Sequence, residues 1–112
     1  MKRVEAYIQP FMLTRVLHEL REAQVHGLTV SDVRGFGREK DESYPHHATD
    51  YAVDFTPKVK LEILCRDVDV DDLVETLVRG AHTGRRGDGK VFVTDVDSVV
   101  SIRSHQSGDD AL

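Results

Sequence analysis

Residues 2–20 read KRVEAYIQPFMLTRVLHEL, and the change of period inside that stretch decides the fold. Val4, Ala6 and Ile8 alternate with Arg3, Glu5 and Tyr7, the two-residue period of a strand with one buried face. Pro10 ends the pattern, because proline has no N–H to give to a sheet ladder. The spacing then turns helical. Leu13, Val16, Leu17, Leu20 and Ala23 draw one apolar stripe, with His18, Glu19, Arg21 and Glu22 on the wet side. Gly27 is the expected stop at the helix C-terminus.

Further along, residues 28–36 read as a second strand, with Thr29, Val30 and Val33 as β-formers. No apolar period survives from residue 37 to 50, where Gly, Pro, Ser, paired His and mixed charge gather. So long a loop in a compact domain is often functional. Residues 51–55 alternate again, Pro57 interrupts, and 59–65 form a third strand. Asp69 or Asp71 is placed to cap a helix striped by Val70, Leu73, Val74, Leu77, Val78 and Ala81. A glycine-rich loop, 82–90, leads to strands over 91–96 and 99–103. The polar segment 104–112 is expected to be a mobile tail. The order predicts an α+β, ferredoxin-like βαββαβ sandwich of one domain over residues 1–112, with a long loop at 37–55 between strands 2 and 3. That fold fixes no function.

The 112 residues carry a formal net charge of −5, which argues against a general nucleic-acid surface but leaves room for a local cationic pocket. One cysteine, Cys65, permits no internal disulfide and reads as a small core residue. No apolar run approaches a membrane span and residues 1–5 lack the apolar core of a signal peptide, so direct membrane insertion is not expected and a cytoplasmic protein is the simplest reading.

Three short segments carry chemistry. Gly84-Arg85-Arg86-Gly87-Asp88-Gly89-Lys90 offers glycines that allow close approach of backbone N–H groups to an anion, with cations beside them. It satisfies the first part of a phosphate-loop pattern, then fails: Val91 stands where Ser or Thr belongs, and a strand follows instead of a helix. On the motif alone, phosphate binding and a plain surface turn are both open. Gly35-Phe36-Gly37-Arg38-Glu39-Lys40 sets two cations at the mouth of the long loop, where Arg38 and Lys40 could clamp an anion or simply be solvated. Lys58 returns from the loop onto a strand, to meet an anion or to guard an edge.

In this order and spacing the segments resemble the PII signal-transduction family. The matching stretches are residues 1–11 (MKRVEAYIQPF), 29–40 (TVSDVRGFGREK), 51–63 (YAVDFTPKVKLEI) and 83–96 (TGRRGDGKVFVTDV). The resemblance implies a homotrimer that binds ATP or ADP in clefts between subunits and docks target proteins, transporters or metabolic enzymes, through the long loop. It implies adenine held near Thr29, Glu62 and Leu64, and phosphates met by Gly37, Arg38, Gly87, Asp88, Gly89, Lys90 and Arg103. It implies 2-oxoglutarate and Mg beside Glu39, Lys40 and Lys58, and Tyr51 as the residue some relatives have uridylylated. A regulator is expected, not an enzyme. His82 is the one tempting base, and no oriented nucleophile accompanies it.

Departures from the pattern keep an alternative in view. Glu39 replaces a frequent Gln, and its carboxylate suits Mg but repels a dicarboxylate. Ser101 replaces a frequent Arg, removing a phosphate cation and bearing on the choice among ATP, ADP and AMP. Asp41 stands where Gly is usual. The alternative is a PII-like sensor of a different signal (a metal ion, energy charge or another small anion) acting on a non-ammonium transporter. His46 and His47, with Asp50, offer metal ligands, although a polar loop tip that binds nothing is the simpler reading.

Overall fold

The computed structural model describes residues 1–37 and 55–112. Four strands form one sheet: β1 (Lys2–Ile8), β2 (Thr29–Gly35), β3 (Thr56–Cys65) and β4 (Lys90–Asp95), in the spatial order β2-β3-β1-β4. All neighbouring pairs are antiparallel. Helices α1 (Leu13–Glu22) and α2 (Val70–Ala81) pack on one face, giving the expected two-layer ferredoxin-like sandwich.

Strand alternation and helical stripes meet in one core. Val4, Ala6 and Ile8 of β1 and Val59, Leu61, Ile63 and Cys65 of β3 face Val16 and Leu20 of α1 and Leu73, Leu77 and Ala81 of α2. Each fully buried aliphatic side chain here contributes roughly 1.5–3 kcal/mol relative to exposure. Gly80 lets the helices approach, since a Cβ there would already touch Val16 at 3.4 Å. Val78, assigned to the apolar stripe, is in fact exposed.

Other local expectations are also corrected. Gly27 does not stop α1. The helix closes at Ala23, and Gln24 takes the left-handed position at φ 64°. The Val25 N–H reaches the Leu20 carbonyl at 2.9 Å, a Schellman closure without glycine. Pro57 does not interrupt β3. It pairs with Arg34 of β2 and lies beyond the last β1–β3 pair, Ile8 with Val59, where β3 has no neighbour on that side. Asp69 occupies the N-cap position of α2, but its carboxylate accepts from Arg66 Nε at 3.0 Å instead of capping the helix. Residues 99–103 form no strand. Their ladder contact is a single bridge between Val100 and Ser107, closed by Ser101 N–H on the Gln106 carbonyl at 2.8 Å. A short 3-10 turn, Gly108–Ala111, follows.

Candidate functional site

Some of the residues singled out in the sequence, Lys58, Gly87, Asp88, Gly89 and Lys90, gather at one end of the sheet. β2 ends there at Gly35, β1 ends at Ile8, β3 begins at Thr56 and β4 begins at Lys90. The loop between α2 and β4 spans this end. At its far side Gly89 adopts φ +103° and lies against β1, so closely that a Cβ would fall 1.7 Å from the Tyr7 carbonyl oxygen. Only glycine fits such an approach. At its crest Lys58 Nζ donates to the Gly87 carbonyl at 2.6 Å, which ties the loop to β3 across the end of β1.

Asp88 organises the loop from within. Its Oδ2 accepts the N–H groups of Thr83 at 2.8 Å and Gly84 at 2.9 Å, and its Oδ1 accepts from the Thr83 hydroxyl. Burial pushes the carboxyl pKa up, but the Thr83 and Gly84 hydrogen bonds and the nearby His82 together outweigh it. The group therefore lies below its ordinary value of 3.8. His82 Nδ1 sits 3.9 Å from Asp88 Oδ2. That places His82 at a carboxylate in a tied-down loop, with no nucleophile joined to it by any described hydrogen bond.

A second group lies farther along the face of the sheet opposite the helices. Thr29 of β2 is paired directly with Glu62 of β3, and Leu64 is two residues on, on the same face. Glu62 bonds Lys60 at 2.9 Å, and Lys60 lies 3.9 Å from Glu5. The hydrogen bond from Lys60 holds the Glu62 carboxyl below its usual range, and the same bond raises Lys60. Arg3 Nε reaches Glu5 at 2.9 Å, so the open face carries a run of alternating charge. Leu64 and Phe92 remain exposed beside it, with Phe92 edge-on to Tyr7 at 5.8 Å.

A model of the family described as "Nitrogen regulatory protein P-II" matches residues 1–106. The chain belongs to the P-II family. It is 46% identical over all 112 residues to the nitrogen regulatory protein P-II of Azospirillum brasilense, covering all of both chains. It is equally similar, over the same span, to nitrogen regulatory protein P-II 1 of Escherichia coli K12. Among solved structures it resembles Arabidopsis thaliana PII bound to citrate, with a TM-score of 0.81 and 36% identity over 99% of this chain and 91% of that one.

The family assignment leaves the position of each residue to the structure. Gly87, Asp88, Gly89, Lys90 and Lys58 are brought together, and Thr29, Glu62 and Leu64 form the second group. Gly37 is exposed just past the end of β2. Arg103 is exposed in the turn of the C-terminal segment, which leaves the sheet from β4, the edge opposite Thr29. Arg38, Glu39, Lys40, His46, His47 and Tyr51 lie outside the described residues. Among the described residues, no group of three or more His, Cys, Asp and Glu could hold a metal ion, and no helix is long and apolar enough to cross a membrane.

The sequence reading missed Thr83 as the partner of Asp88 and Tyr7 as the surface against which Gly89 rests. The first had a readable signal, since Thr and Asp bracketing glycines commonly close a turn through side-chain bonds to backbone. It also missed the aromatic contact where the long connection leaves and rejoins the sheet. Phe36 meets Phe55 edge-on at 5.4 Å, and the Arg34 guanidinium lies 5.3 Å from the Phe55 ring centre.

Proposed function

We propose that this protein is a nucleotide-sensing regulator of the PII type, binding ATP or ADP between subunits of a cytoplasmic homotrimer and controlling target proteins through the 37–55 connection. The observation that carries the reading is the loop tied by Asp88, Gly89 and Lys58, which holds glycine N–H groups and Lys90 at one end of the sheet. Four residue steps along β3 separate Lys58 from Glu62, about 13 Å along a strand. That spacing suits phosphates at the glycine-rich loop and adenine beside Thr29, Glu62 and Leu64. Lys90, Gly87 and Gly89 would bind phosphate oxygens, with Gly37 and Arg38 approaching from β2. Arg103, exposed in the segment that follows β4, would add a further cation to a cleft between subunits. The exposed Leu64 and Phe92 on the open sheet face support burial against other copies.

On this reading Asp88 shapes the loop and leaves contact with phosphate to its neighbours. Mg would accompany ATP at Glu39, and Lys58 and Lys40 would meet the carboxylates of 2-oxoglutarate. The Arabidopsis PII structure is bound to citrate, which supports a family site able to take a polycarboxylate. Calorimetric titration of ATP and ADP, with and without Mg and 2-oxoglutarate, tests the proposal. Micromolar ATP binding that is lost in Lys90→Ala supports it, and unchanged affinity in that variant refutes the site. Tightening by 2-oxoglutarate identifies the nitrogen signal. Indifference to it assigns the same scaffold to another small anion or to energy charge.

A further inference from the structure

Outside the site described above, a hollow of about 460 Å³ opens between the end of α1 and the 23–28 turn. Four apolar residues, Leu17, Leu20, Val25 and Leu28, line it together with Arg21 and His26. Gln24, in its left-handed conformation, turns the chain so that Val25 and His26 come back over the helix end. The C-terminal carbonyls of a helix normally repel negative charge. Here three of them, on Glu19, Leu20 and Arg21, already accept the N–H groups of Ala23, Val25 and Gln24. An acidic visitor therefore meets the exposed Arg21 guanidinium before it meets bare carbonyls.

The chain carries a segment of matching chemistry. The 3-10 turn Gly108–Ala111 presents Asp109 and Asp110 to solvent, and Leu112 beside them is half-exposed. We infer that the hollow receives the segment 108–112 of a second copy, with Leu112 against its apolar residues and the two aspartates against Arg21 and His26. The homotrimer reading supplies the second copy. The hollow precedes β2, at one edge of the sheet, while the tail follows β4, at the other. A contact from one edge to the opposite edge of the next molecule is head-to-tail, the arrangement that closes rings. This rests on the homotrimer reading above and adds to it a named latch between neighbours, separate from the nucleotide residues.

The test is a charge exchange read by subunit mixing. Arg21→Glu, and separately Asp109→Lys with Asp110→Lys, should each speed exchange between labelled and unlabelled trimers about three- to tenfold. Combining them should restore the parent rate. In a Cys65→Ala background, Leu17→Cys with Leu112→Cys should oxidise to species that run as dimers and trimers on a denaturing gel. Single variants without effect, effects without rescue, or a disulfide formed only within one chain would each overturn the latch. If those results came from a parent that is trimeric and binds ATP, the functional reading would stand without it. A monomeric parent would remove both. Suppression of the cross-link by a free branched-chain carboxylate at low concentration, with exchange rates unmoved by the charge variants, would assign the hollow to a small acid and overturn the tail.

Discussion

Gly89→Ala is the sharpest probe of the glycine-rich loop, because one added methyl tests both its geometry and its function. A Cβ on Gly89 would lie 1.7 Å from the Tyr7 carbonyl oxygen and 2.8 Å from its carbonyl carbon. Both atoms belong to β1, which is paired on both sides and cannot swing away as a side-chain tip would. The loop must move instead, until the contact opens to at least 3.0 Å. Holding an L-residue near φ +103° costs about 1–3 kcal/mol. Losing the ladder bond where Lys90 pairs with Tyr7 adds about 0.5–1.5 kcal/mol. The expected destabilisation is therefore about 1.5–4.5 kcal/mol, a fall of roughly 6–18 °C in Tm for a domain of this size.

The assay is urea and thermal unfolding at fixed protein concentration, since association would shift apparent stability. Gly27→Ala is the internal control: nothing lies within 4 Å of its Cβ and its φ is ordinary, so it should stay within about 0.5 kcal/mol of the parent. ATP affinity should fall at least about tenfold in Gly89→Ala, because Asp88 and Lys90 flank the displaced residue. A change in stability below about 1 kcal/mol would refute the close approach to β1. A large loss of stability with unchanged ATP affinity would keep the geometry and remove the loop from the nucleotide site.

Four further outcomes follow from the same structure. Gln24→Gly should raise stability by about 0.5–1 kcal/mol in urea unfolding, by relieving a left-handed glutamine at the end of α1. Asp88→Asn keeps one acceptor and loses the charge, so ATP affinity should drop about tenfold in calorimetry, with little change in far-ultraviolet circular dichroism. In the parent the Asp88 carboxyl titrates below 3.8 in the fold, so its contribution is present at neutral pH and is lost only as pH falls through that depressed value; the Gly84 amide resonance should report the transition. Cys65 is buried and burial raises its thiol pKa, so Ellman's reagent at pH 7.5 should label it about a hundredfold more slowly in the native protein than in urea.

What can be read ahead of the structure, and what cannot, divides along sequence distance. Strands β1 and β3 and both helices are legible because burial on one face imposes a period that neighbouring residues reveal: Val4, Ala6 and Ile8 for β1, Val59, Leu61 and Ile63 for β3, and Leu73 and Leu77 for α2. The helix stop is misread because the rule for glycine is statistical. The hydrogen bond from Val25 to Leu20 fixes the turn at Gln24 whatever side chain stands there. Residues 99–103 alternate like a strand, but β4 is already the sheet edge and the bridge they make runs only to their own tail. Pro57 cannot be judged without knowing where β1 ends. In the site, the resemblance supplies Lys58 and Gly87 as names, yet their bond spans 29 residues of sequence and exists only because the loop crosses the end of β1. Gly89 against Tyr7 is still less legible, since it needs the register of β4 on β1.

The near-match to a phosphate-loop motif shows why register matters more here than the string of glycines. In a true phosphate loop the lysine opens a helix, and the helix N-terminus supplies much of the anion field. Lys90 instead opens a strand, paired with Tyr7, so no helix N-terminus follows the loop, and the helix end that precedes it is the C-terminus of α2. Positive charge must then come from separate elements: Lys90 from β4, Lys58 from β3 and, on the proposed trimer, Arg103 from the segment that follows β4. Such a site is sensitive to how its strands are held at their ends. Lys58 lies two residues after the start of β3, and Gly37 two residues after the end of β2, so both flank the connection between those strands. An anion that drew Lys58 from the Gly87 carbonyl would release the loop and pull on the root of that connection in a single step. The hydrogen bond from Lys58 to Gly87 would then carry part of the coupling a regulator needs. Replacing Lys58 with methionine, which keeps the length and loses the donor, should separate nucleotide binding from any response at the connection.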